Sequence, residues 1–178
     1  GIYPDQLNAD LAQSVGAAFV RVLGLNTAAG GPGAVVVGWD MRPSGPELVD
    51  AFADGVTSQG CDVIKIGLAS TDGLYFASGK LGLPGAMFTA SHNPAQYNGI
   101  KLCRAGAAPV GRDSGLADIT ALIRAGIPTF DGARGGVSQR DMLQEYAEHL
   151  RTMVDVRGIR PLKVVVDAGN GMGGHTVP

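Results

Sequence analysis

The residues best suited to chemistry fall at the ends of apolar runs. In the stretch MFTASHNP, residues 87 to 94, a greasy segment stops in Thr89, Ser91, His92 and Asn93 before Pro94. A hydrolase serine needs the pattern G-x-S-x-G, and here Thr89 and Asn93 stand where the glycines belong. His92 is expected to be no base for Ser91, because adjacent side chains on an extended chain diverge. A second use of an exposed serine is to carry a phosphoryl group, which adds roughly −1.5 to −2 charge near neutral pH. Such a group needs cations, and Arg42 and Lys101 lie beside other apolar runs. Beside this stands a plainer reading. Asn93-Pro94 is a turn signal, and Ser91 then does no more than close a strand.

GWDMRPSG, residues 38 to 45, follows the first strand-like run. Arg42 in that loop is a candidate bidentate phosphate clamp, and the helix expected next offers free N–H groups. The alternative is that Asp40, Ser44 and Glu47 only brace and cap the turn, Ser44 and Glu47 standing at capping-box spacing. Gly169, Gly171 and Gly174 match G-x-G-x-x-G, but a dinucleotide site also needs a helix opening there and an acidic residue about 20 positions later. Ordinary turn glycines are the better reading. His149 is expected as a solvated or edge residue of an amphipathic helix, and His175 carries no signal.

These residues must be held by alternating strands and helices. Residues 8–25 form a helical pattern with Asn8 as N-cap and an apolar face of Leu11, Val15, Ala18, Phe19 and Val22. AVVVG then reads as a buried strand, and the following helix shows Leu48, Val49, Phe52, Ala53 and Val56 on one face. CDVIKIG is the next strand, TDGLYFASGKLG a helix, GAMFTA a third strand and NGIKLCR a fourth. The last two are joined too briefly for a helical crossover, which predicts an antiparallel pair. Helices are expected at 113–125 and 138–154, the latter with Leu143, Tyr146, Leu150 and Val154 on one face. The pattern predicts a three-layer α/β/α sandwich with a mixed, mostly parallel sheet, and active residues at strand ends.

Composition excludes several classes. The chain has 178 residues, a formal net charge of −2 and 45% hydrophobic residues, so no basic patch for nucleic acid is expected. No window has the apolar length of a membrane span, and no secretory signal pattern opens the chain. Cys61 and Cys103 are expected to be reduced core thiols of a cytoplasmic protein. The chain opens on Gly1 and stops soon after LKVVVDAGNGMGG, a strand-like run. The expected organisation is one domain over 1–156 and the first strand of a truncated second domain over 157–178.

In combination, three segments resemble the N-terminal region of the α-D-phosphohexomutases, specifically their phosphomannomutase/phosphoglucomutase branch. TASHNPAQYNGIK resembles the family's phosphoserine loop and its Y-N-G-x-K continuation, VGWDMRPSGPEL its arginine loop, and LKVVVDAGNGMGG the opening strand of its second domain. Phosphoglucosamine mutases have a similar loop, usually with an aspartate before N-G-x-K; Gln96 and Tyr97 stand there in this chain and favour the hexose branch. The resemblance implies that Ser91 is a catalytic phosphoserine passing its phosphoryl group to a small-molecule hexose phosphate. A hexose 1,6-bisphosphate, which also serves as activator, then returns its other phosphate to the serine, interconverting hexose 1-phosphate and 6-phosphate of mannose or glucose. It further implies that Lys101 is a general acid/base or phosphate contact, that His92 and Asn93 shape the loop, His92 as a catalytic and Asn93 as a phosphate-binding residue, and that Arg42 is an active-site cation that binds phosphate. Ser91 would also be a ligand of Mg²⁺, whose other ligands belong to an Asp-Gly loop of the second domain expected beyond residue 178. The family's sugar-reading and distal phosphate loops are likewise absent from the chain, as is an arginine expected just before Gly1.

Two rivals belong to other classes. A non-catalytic phosphosugar-binding module would lack the D-G-D-G-D run downstream of Pro178. A nucleotide-binding oxidoreductase resting on Gly169–Gly174 would bind NAD in a titration.

Overall fold

The computed structural model describes residues 1–177. Six strands form one sheet in the order β5-β4-β3-β1-β2-β6: β1 Ala34–Trp39, β2 Asp62–Leu68, β3 Gly85–Phe88, β4 Ile100–Arg104, β5 Ala108–Pro109 and β6 Val137–Gln139. β3, β1, β2 and β6 run parallel, while β4 lies antiparallel to β3 and β5 antiparallel to β4. The mixed, mostly parallel sheet and the antiparallel β3–β4 pair are those the sequence predicts. β6 was not expected. Its three residues, Val137, Ser138 and Gln139, are all exposed and lack the apolar run that marks the other parallel strands.

Helices cover both faces. One face holds α1 Ala9–Leu23, α2 Gly45–Ser58 and α4 Leu116–Ala125; the other holds α3 Thr71–Leu81 and α5 Leu143–Met153. Right-handed crossovers dictate this division. The chain moves one way from β1 to β2 through α2, then back past β1 to β3 through α3, so the two helices must lie on opposite faces. The first core centres on Phe19, Phe52 and Phe88, whose rings pack edge to face at 5.5 Å between Phe52 and Phe88. Each such buried ring contributes about 2 kcal/mol. The second core is smaller, around Val36, Ile66, Leu74, Met87 and Met142.

Three expectations of detail are corrected. Asn8 does cap α1, its carboxamide oxygen accepting from the Leu11 N–H at 2.9 Å. Ala18 and Phe19 of the expected face are buried, but so are Ala12, Gly16, Ala17 and Val20, while Leu11 is 37% exposed. The reason is close helix packing: a Cβ on Gly16 would stand 2.3 Å from the Phe52 carbonyl oxygen, and one on Gly55 would stand 2.0 Å from that of Gln13. Backbone-to-backbone contact with α2 turns the helix about this seam. The capping box at Ser44 and Glu47 does not form, because Ser44 makes no cap bond and Glu47 accepts from Tyr3 Oη at 2.5 Å. On α5, Tyr146 of the expected face does lie against Phe76 of α3, joined by His149, but Leu150 is 43% exposed and Val154, just past the helix, 58%.

The run LKVVVD forms no ladder. No described strand pairs with it, and Val165 is 87% exposed. An extended segment becomes a strand only when a neighbour takes its backbone hydrogen bonds. The glycines after it build a turn, with Gly169 at φ +53°, and a four-residue helix, α6 Gly173–Thr176. The strand–turn–helix of a dinucleotide site is therefore not assembled among the described residues.

Candidate active site

The parallel strands β1 and β3 send their connections in opposite directions along the sheet. The connection from β1 leaves towards β2, and that from β3 leaves towards β4, which opens a crevice at the carboxyl ends of both strands. In open α/β sheets ligands bind at such a switch point. The loop after β1 brings Asp40 and Arg42 there; the loop after β3 brings Ser91, His92 and Asn93; and the antiparallel return brings Lys101, opposite Met87. The sequence-predicted site residues are thus gathered at one end of the sheet.

The underside of the serine loop is a buried polar lattice. Arg42 is 6% exposed, and all five of its guanidinium N–H groups are taken. Nε donates to Asp40 Oδ2 at 3.2 Å; Nη1 donates to the carbonyls of Pro94 (2.6 Å) and Tyr97 (2.9 Å); Nη2 donates to those of Ser91 (2.8 Å) and Asn93 (2.7 Å). The phosphate clamp expected of Arg42 would need an N–H that is free, and in this structure none is. A guanidinium has five donors and no more, and here a fixed fork is spent on four backbone carbonyls of the loop and one carboxylate.

Other bonds fasten the same loop. Asp40 Oδ1 accepts the Arg42 backbone N–H at 3.1 Å, and Asp40 Oδ2 accepts from Thr89 Oγ1 at 2.6 Å. Thr89 Oγ1 in turn accepts the Ser91 N–H at 3.0 Å. Buried Asn98 donates to Ser44 Oγ at 2.9 Å, which is where the hydroxyl expected as a cap has gone. The N-terminal residues lie along the loop: Gly1 and Asn98 exchange backbone bonds, and the Tyr3 N–H donates to the Gln96 carbonyl at 2.8 Å.

The upper side is open. A turn closed by the Asn93 N–H on the Ala90 carbonyl, at 3.1 Å, puts Ser91 at φ +55°. That left-handed conformation costs a serine about 1–2 kcal/mol relative to its ordinary wells. Strain of this kind persists only where the surroundings enforce it, and it clusters at functional sites. Ser91, His92, Asn93 and Lys101 are all exposed. His92 does not diverge from Ser91 as an extended chain would require, since the turn leaves Nδ1 3.4 Å from the serine Oγ. That separation is longer than the roughly 2.6–3.2 Å over which a base takes a proton. Asn93 contributes backbone, its N–H to the turn and its carbonyl to Arg42. The Lys101 side chain has no hydrogen bond or ion pair among the described residues, while its backbone stays in the ladder opposite Met87.

A metal fits this set poorly. Among the described residues no group of three or more His, Cys, Asp and Glu side chains gathers around one point. Ser91 Oγ is a lone oxygen, and Asp40, the carboxylate beneath it, is already committed to Arg42 and Thr89. No helix of the described residues is long and apolar enough to cross a membrane. Cys103 on β4 and Cys61 just before β2 are buried free thiols, and burial pushes the Cys61 thiol up to about 12.

Sequence reasoning missed Thr89 and Asn98 as parts of the site, and gave Asp40 only as a brace of its own turn, which it is, without its bond to Thr89. Their signal is compositional: a threonine, an aspartate and an asparagine at buried positions must find partners, and here they find the loop.

Comparison with known proteins places this geometry. The family described as phosphoglucomutase/phosphomannomutase, alpha/beta/alpha domain I, matches residues 1–129, a span holding every residue of the crevice. A phosphomannomutase of Escherichia coli is 42% identical over 177 residues, covering 97% of this chain and 37% of the relative. A Xanthomonas campestris protein named for phosphohexose mutases is 39% identical over 178 residues, covering 99% of the chain and 38% of the relative. The crystal structure of a phosphoglucomutase/phosphomannomutase family protein from Burkholderia thailandensis superposes with a TM-score of 0.81 at 37% identity, over 99% of this chain and 38% of that one. The chain therefore spans less than two fifths of the length of the relatives it matches.

Proposed function

The chain belongs to the phosphoglucomutase/phosphomannomutase family, and from that footing we propose that Ser91 is the phosphoryl carrier of a hexose-phosphate mutase. The single observation that carries the reading is the serine's setting. Its Oγ is exposed at the tip of a strained turn while its backbone is held from below by Arg42 and Thr89. A serine that only ended a strand would need neither the strain nor the anchor.

The step proposed is a balanced exchange. The bond between Ser91 Oγ and phosphorus breaks, and a free hydroxyl oxygen of the hexose phosphate forms the new P–O bond. The proton of that hydroxyl ends on Ser91 Oγ. Transfer back from the other phosphate of the resulting hexose 1,6-bisphosphate regenerates the phosphoserine and completes the isomerisation of mannose or glucose phosphates. In-line transfer of this kind depends on positioning and on charge stabilisation more than on covalent help. Lys101, exposed and unpaired among the described residues, is proposed as the cation that meets the phosphoryl oxygens or moves the proton. His92 borders the carrier, and Arg42 holds the loop instead of touching phosphate. Mg²⁺ would supply further neutralisation, and among the described residues Ser91 Oγ is the oxygen that would reach it.

A coupled assay on the full-length protein tests the proposal. With a hexose bisphosphate primer and Mg²⁺, turnover of mannose or glucose phosphate is expected. No turnover with either sugar would overturn it.

A further inference from the structure

The geometry points to Thr89 as the positioning residue of the carrier: its hydroxyl, locked by Asp40, holds the Ser91 backbone in the left-handed conformation that presents Oγ. This inference rests on the reading of Ser91 as phosphoryl carrier.

Hydroxyl chemistry leaves one arrangement. A threonine has a single O–H to give. Asp40 Oδ2, 2.6 Å away, accepts the Arg42 guanidinium as a carboxylate and so can only accept from Thr89 as well. The Thr89 proton is therefore committed to Asp40, and a lone pair is left for the Ser91 N–H at 3.0 Å. The hydroxyl is itself immobile. Thr89 is buried, its own N–H donates to the Gly99 carbonyl at 3.0 Å, and a Cβ on Gly99 would stand 2.9 Å from the Thr89 carbonyl oxygen. Charge-assisted bonds are the strong ones in such a lattice. The result is a chain from Arg42 through Asp40 and Thr89 to the Ser91 amide. Arg42 fixes the loop's carbonyls; Thr89 fixes its one strained N–H.

The test compares Thr89→Val, Thr89→Ala and Thr89→Ser with the wild type in the full-length protein. Three readouts are taken: kcat and KM, melting temperature, and hydrogen exchange at the Ser91 amide. Loss of the hydroxyl should lower kcat about 100-fold with KM within about threefold, since small misplacement of a reacting group costs that much. Exchange at Ser91 should quicken about five- to tenfold, the worth of one hydrogen bond. Thr89→Ser, which keeps the O–H, should restore most of both. Valine and alanine remove the same group with different volumes, so either carries the test if the other fails to fold. Unchanged kcat and unchanged Ser91 exchange without the hydroxyl would overturn the inference. So would a loss that serine does not rescue, or faster exchange spread evenly over residues 89–99. If the wild type itself shows no turnover, the carrier reading falls, and the exchange arm alone decides whether Thr89 holds Ser91.

Discussion

Arg42 and Lys101 both border the loop that carries Ser91, yet they sit on opposite sides of it and in opposite states. Arg42 lies beneath, buried, with every N–H occupied by the loop's own carbonyls and by Asp40. Lys101 lies above, exposed and without a partner among the described residues. The difference separates two jobs that look alike in sequence. A cation whose donors are spent on backbone builds a site, and a cation left free can serve a ligand. The same division runs through the serine, whose backbone belongs to the underside and whose Oγ belongs to the open side.

Changes on the two sides should therefore fail differently. The largest effect is expected on activity from Ser91→Ala, which should cut turnover by orders of magnitude while moving stability by no more than about 0.5 kcal/mol, as exposed substitutions do. Comparable losses in turnover and in melting temperature would mean that the two sides are not separable. Next comes the underside. Arg42→Met strips Asp40 of its counter-charge and frees four carbonyls, and a buried pair broken on one side costs about 3–5 kcal/mol. Chemical denaturation should show that loss, and a change below about 1 kcal/mol would break the comparison. Lys101→Met should do the reverse, lowering kcat/KM about 100-fold, the scale of a lost acid–base or charge contact, with an unaltered melting curve.

A smaller effect sharpens the point about strain. Ser91→Gly and Ser91→Ala both lack Oγ, but only glycine adopts φ +55° freely. After glycine's larger entropy in the unfolded chain is counted, the glycine variant should still be the more stable by about 0.5 kcal/mol. Equal stability would mean that the turn stores no strain. The smallest effect lies away from the loop. Burial holds the Cys61 thiol protonated up to about 12 against an ordinary value of 9.0. A raised thiol value leaves stability intact below pH 9 and removes it as pH climbs from 9 towards 12, because the unfolded chain ionises first. Cys61 should accordingly resist alkylation in the native protein at pH 8.

How far the sequence reveals this site depends on where the partners lie. Local signals were sufficient for α1, whose N-cap is Asn8, for the buried run of β1, and for the antiparallel β3–β4 pair, whose short connection leaves no room for a crossover. Ser91 stood out because a buried strand ended in it. Arg42 was visible as a cation but not as a builder, since the four carbonyls it holds lie 49 to 55 residues away along the chain. Ser44 shows the same limit, its spacing to Glu47 predicting a capping box until Asn98, 54 residues on, claims the hydroxyl. β6 is three exposed residues with no periodicity to detect. Spacing reports what a residue could bond; only the fold decides which bond is made.

Ser91 Oγ, free above an anchored backbone, is proposed to carry phosphate. Phosphopeptide mapping of the purified full-length protein, after incubation with a hexose 1,6-bisphosphate, tests it most directly. One phosphate on Ser91, absent from the Ser91→Ala variant, is the predicted result. An unphosphorylated Ser91, or a phosphate that persists when Ser91 is replaced, would contradict it.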